Sequence, residues 1–65
     1  MMNLEQLNRA ACMTKTDINS KVMAACRRVI EKGNPIYFAA RIECVSYSSV
    51  YSKLLELKEA LKHEP

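Results

Sequence analysis

The chain has 65 residues, 49% of them apolar, and ten lysines and arginines against seven aspartates and glutamates give a net charge of +3. That length suits one domain with a single small core and leaves no room for a deep catalytic cleft, while the mild basic excess suits a polyanionic partner without requiring one. No apolar run approaches the roughly 20 residues that span a bilayer, and the start MMNLEQLNRA has no apolar stretch behind a basic segment, so the expectation is a cytoplasmic protein with no membrane partner.

In chain order, Asn3 followed by Gln6 predicts a capped first helix, with Leu4, Leu7 and Ala11 at helical spacing and an end near Met13. In the following TKTD, Thr14 and Thr16 are able to cap a helix and Asp17 suits its positive end. Ile18, Val22, Cys26, Val29 and Ile30 then form one apolar stripe, predicting a scaffold helix. Gly33 stops it, because a helix end commonly needs a left-handed residue. Asn34 is the expected cap of the next helix, which starts at Pro35 and turns Phe38, Ala39 and Ile42 inward.

Val45-Ser46 breaks the pattern, and Ser46 caps a last helix over 47–62 in which Tyr47, Val50, Leu54, Leu57 and Leu61 repeat as an apolar seam. Its end, LLELKEALKHEP, alternates charge with leucine and reads as a solvated amphipathic tail up to Pro65. No period-2 alternation predicts a strand. The expected fold is all-α, a single small domain of about four helices.

Cys12, Cys26 and Cys44 lack any C-x-x-C pairing, so with His63 they do not have the short spacers that pre-position zinc ligands, and they read as reduced, space-filling thiols. Met1, Met2, Met13 and Met23 read as gap-fillers or termini. One histidine near the chain end supports no Ser-His-Asp or Cys-His arrangement, so no catalytic residue, metal, cofactor or small-molecule substrate is expected.

A short helix, a tight turn and a second helix opening with small polar residues describe a helix-turn-helix, here at about 35–55, whose second helix enters the major groove of double-stranded DNA. Ala39 and Ala40 permit the two helices to cross closely, and Val45 and Val50 pin the turn and the reading helix to the core. Ser46, Tyr47, Ser48, Ser49, Tyr51 and Ser52 are then the surface that reaches DNA, as hydroxyls bond bases or phosphates and repel neither. Tyr47 has two readings, half-buried on the seam or facing DNA. Arg27, Arg28 and Lys32 at the end of the scaffold helix, Arg41 on the short helix and Lys53 on the reading helix itself complete the expected DNA-binding surface, Arg27 and Arg28 as phosphate contacts, whereas Glu56, Glu59 and Glu64 collect in the tail. Arg27 and Arg28 have a plainer role too, offsetting a helix C-terminus by under about 1 kcal/mol.

From Arg27 to Leu54, RRVIEKGNPIYFAARIECVSYSSVYSKL resembles the TrfB/KorA family of plasmid repressors through Gly33, Pro35, Phe38, Ala39, Val45 and Val50, with a fainter likeness to PapB-type fimbrial regulators. The resemblance implies a homodimeric transcriptional repressor on palindromic operators, often of its own operon. It departs at Glu43-Cys44, where that family's turn usually has a glycine. Either Cys44 takes the glycine's place and Glu43 falls where an apolar residue is expected, or Ile42 is the apolar residue and the turn is one longer.

Leu55 lies about 140° around the helix from Val50, on the outward side. With Leu54, Leu57 and Leu61 it is the expected dimer contact, the alternative being Leu4 and Leu7 of the first helix. A reading from a different class is a small interaction protein, an anti-repressor or inhibitor whose leucine-rich last helix docks in a groove of a host protein.

Overall fold

The computed structural model describes residues 2–63 as four helices with no strand among them: α1 Leu4–Met13, α2 Lys21–Lys32, α3 Ile36–Ile42 and α4 Tyr47–Lys62. Met1, Glu64 and Pro65, with the expectations placed on them, lie outside the described residues. No helix is long and apolar enough to cross a membrane. Helices α2 and α4 each pack on all three of the others, and α1 and α3 do not touch.

Helix α1 starts where its capping chemistry predicts. Asn3 Oδ1 accepts from the Gln6 N–H at 2.8 Å while Gln6 Oε1 accepts from the Asn3 N–H at 3.0 Å, so two amides that a helix start leaves orphaned are satisfied reciprocally. The helix buries Leu7, Ala10 and Ala11.

The start of α2 differs from the sequence expectation. Neither threonine caps it; Ser20 does, its Oγ accepting from the Met23 N–H at 3.2 Å. The Thr14 hydroxyl instead bonds back to the Ala10 carbonyl at 3.0 Å, and Asp17 Oδ1 accepts from the Asn19 N–H at 2.9 Å. A short side chain that closes a local turn of this kind competes with helix, which delays α2 by one turn. Ile18 therefore lies in the turn and is exposed, and the stripe reduces to Cys26, buried, with Val22, Val29 and Ile30 partly so. Met23 and Ala25, on the same face but not among the stripe residues named from sequence, are fully buried.

Gly33 ends α2 at φ +71°, and the amides of Gly33 and Asn34 both reach the Arg28 carbonyl. Pro35, not Asn34, occupies the cap position of α3, with φ −62° and ψ 150°, so the helix begins at Ile36 and has no side-chain cap. Phe38 and Ile42, expected inside, are 41% and 46% exposed. A seven-residue helix has one narrow face to bury, and here Ala39 and Ala40 occupy it.

Helix α4 is capped as expected, with Ser46 Oγ accepting from the Ser49 N–H at 3.2 Å. Val50, Leu54 and Leu57 enter the core and Leu61 packs against its edge. Because α1 and α3 contribute mostly alanine to the centre, these side chains and Met23 supply the volume that close packing demands.

Candidate nucleic-acid interface

The connection from α3 to α4 runs over Glu43, Cys44, Val45 and Ser46. Cys44 sits at φ +59°, so of the two registers the sequence leaves open, the left-handed residue of the turn is Cys44. The Val45 N–H bonds the Ala40 carbonyl at 3.0 Å and the Cys44 N–H bonds the Arg41 carbonyl at 3.2 Å, which pins the turn to the end of α3. Glu43 then stands on the inner side of the turn, where it accepts from Arg28 Nε at 2.7 Å with both side chains mostly covered. The pair lets a carboxylate occupy a site next to the core.

The two left-handed positions respond oppositely to substitution. A Cβ at Gly33 meets no atom within 4 Å, so Gly33→Ala is strained by its backbone alone, by about 1 kcal/mol. Cys44→Gly relieves the same strain, offset by the greater freedom of glycine in the unfolded chain, for a net gain of up to about 1 kcal/mol. Thermal unfolding checks both: the first midpoint should fall by several degrees, roughly 4–8 °C per kcal/mol for a domain of this size, and the second should hold or rise.

Three of the five basic residues expected at DNA make internal bonds. Arg28 holds Glu43, Arg27 Nη1 donates to the Ile18 carbonyl at 2.7 Å, and Lys53 Nζ donates to Thr16 Oγ1 at 3.2 Å and Glu56 Oε1 at 2.8 Å. The first ties α2 to the α3–α4 turn, and the other two tie the α1–α2 turn to α2 and α4. Arg41 and Lys32 remain exposed and carry no ion pair among the described residues.

The hydroxyl residues divide in the same way. Ser46 and Ser49 belong to the helix cap, their Oγ atoms 2.7 Å apart. Tyr47, Ser48, Tyr51 and Ser52 face solvent from the first turns of α4. Tyr47 is 53% exposed and stacks on Tyr51 with ring centroids 6.1 Å apart, so it belongs to the outer face and not to the seam. Beneath this face lie Val50, Ala39 and Ala40 in the core.

Of the four leucines expected at a dimer contact, Leu54 and Leu57 are core residues and Leu61 is partly buried against them. Leu55 is 50% exposed. The tail folds back along its own domain, because a small core needs those leucines more than a partner does. Leu7 of the alternative contact is buried as well, with Leu4 near the surface. Leu54 and Leu57 are equally covered toward a groove on a host protein.

The three cysteines are free thiols; Cys12 and Cys44 are exposed, whereas burial pushes the Cys26 thiol up to about 11, against smaller opposing effects of Lys53 and Arg27. Cys26 therefore stays protonated and unreactive at neutral pH. No protein-family model matches the chain, and no curated protein or solved structure is significantly similar to it.

Proposed function

We propose that the chain is a sequence-specific DNA-binding regulator in which α3, the Cys44 turn and α4 act as a helix-turn-helix, with the first turns of α4 in the major groove. One observation carries this reading. Tyr47, Ser48, Tyr51 and Ser52 share the outer face of α4 directly after a hydrogen-bonded turn, and no carboxylate lies among residues 44–55 to repel a phosphate. Serine hydroxyls read base edges, tyrosines contact phosphate or sugar, and Arg41 on α3 supplies a charge to the backbone.

A single reading helix covers only a few base pairs, so the operator is read by two copies on a palindrome, with half-site centres about 10 base pairs apart or a multiple of that. With Leu54 and Leu57 committed to the core, the DNA itself brings the two copies together. A repressor of a plasmid or mobile-element operon is the regulatory role that fits the sequence resemblance.

Fluorescence anisotropy on duplexes selected from a random pool tests the reading. Log K should fall linearly with log salt, by about 0.9 per phosphate contacted. Arg41→Ala should weaken all sequences alike and lower that slope by about one contact, whereas Ser52→Ala should change the preferred base at one position and leave the slope unchanged. Binding that ignores salt, or no selection of any duplex, removes the proposal.

A further inference from the structure

A second surface lies beside the hydroxyl face, on the flank of α4 that looks toward the end of α2. It is a hollow of about 260 Å³ floored by Val29, Ile30 and Ile36, with Tyr51 and Leu55 standing on its rim. A shallower hollow, lined by Gln6, Leu61 and Lys62, adjoins it, and the two share Met2 and Lys58. Together they form one trough along α4 from Tyr51 to Lys62, about 16 Å at 1.5 Å per residue, the length of three helical turns. We infer that this trough is the docking site for an acidic amphipathic helix of another protein.

Charge decides the occupant. Lys58 and Lys62 stand along the trough, and no carboxylate lines either hollow among the described residues. Lys62 lies 3.7 Å from Glu59 with both side chains largely in water, a loose pair that a partner carboxylate displaces at little cost. A second copy of this chain fits poorly, because two such rims face to face oppose lysine to lysine. Nucleic acid fits poorly as well, since the floor offers it aliphatic side chains and no donors. An incoming helix with leucines at i, i+3 or i+4 and i+7 fills the floor, and glutamates flanking them meet the lysines. The chain thus supplies the groove and not the inserted leucines, the reverse of what its leucine-rich last helix suggests in sequence. This inference does not depend on DNA binding.

The probe is a fluorescein-labelled 16-residue helical peptide with leucines at those positions and glutamates beside them, compared with the same peptide carrying lysines for glutamates. Titrated into the full chain, the glutamate peptide should shift the amide resonances of Val29, Ile30, Ile36 and Leu55. Leu55→Ser, at a half-exposed rim position, should weaken it about tenfold, as loss of one buried anchor does. Lys58→Glu, a surface change with no risk to the fold, should weaken the glutamate peptide about fivefold and favour the lysine peptide instead. No shift at those amides up to about 1 mM peptide, the weakest binding of interest, overturns the inference. So does equal binding of the two peptides. Shifts of the same amides with protein concentration alone assign the trough to a second copy and overturn it too.

Discussion

Leu57→Glu is expected to leave the chain unfolded at room temperature. Leu57 is 0% exposed among Leu7, Met23 and Cys26, and no polar group there is available to receive a carboxylate. Truncating such a leucine to alanine alone costs about 2–5 kcal/mol, and adding a buried charge raises the penalty. A domain of this size has about 3–10 kcal/mol of stability in all, so the substitution consumes most or all of it. Far-UV circular dichroism should show loss of helix for Leu57→Glu and native helix for the matched surface change Leu55→Glu. Helix content and unfolding midpoint retained in the Leu57 variant would place that side chain outside the core and return it to a possible dimer contact.

The second large effect is expected at Ala39. The helix it belongs to has seven residues and no side-chain cap, so docking through Ala39 and Ala40 is what holds it. Ala39→Leu forces extra methylenes into a site with no space, which costs about 1–3 kcal/mol and pries α3 from α2 and α4. Phe38→Leu, one residue away and 41% exposed, should shift stability by less than about 0.5–1 kcal/mol. Denaturant unfolding ranks the two, and hydrogen exchange on α3 should quicken only in the first. If the phenylalanine change proves the costlier, α3 is rotated from the position described. In that case Tyr47, Ser48, Tyr51 and Ser52 lose their support beneath, and the DNA reading fails with them.

Several features were legible because their causes are local. The Asn3–Gln6 cap, the stop at Gly33 and the Ser46 cap each depend on a side chain or a backbone preference within four residues, and the structure places all three as the sequence predicts. The start of α2 is not legible in the same way, for a related reason. Thr14, Asp17 and Ser20 all have capping chemistry, and only the turn that Asp17 closes decides that Ser20 uses it.

The candidate interface was legible in its residue types and not in their assignments. Arg28 and Glu43 are 15 residues apart, and Lys53 and Thr16 are 37 apart, so nothing in local pattern announces that these cations are held within the fold. Cys44 gives no sign of its left-handed backbone beyond its place between two predicted helices.

By itself, then, the sequence determined that this chain is helical, where three of its four helices are capped or stopped, and that hydroxyl side chains open the last one, because such choices are made by neighbours along the backbone. Which face of α3 is buried, which basic side chains remain for a ligand, and whether the leucines of α4 serve the core or a partner were decided only in three dimensions. Those outcomes depend on volume and charge brought together from distant segments: a core filled with alanine from α1 and α3 draws in Leu54 and Leu57, and a carboxylate in the α3–α4 turn draws in Arg28.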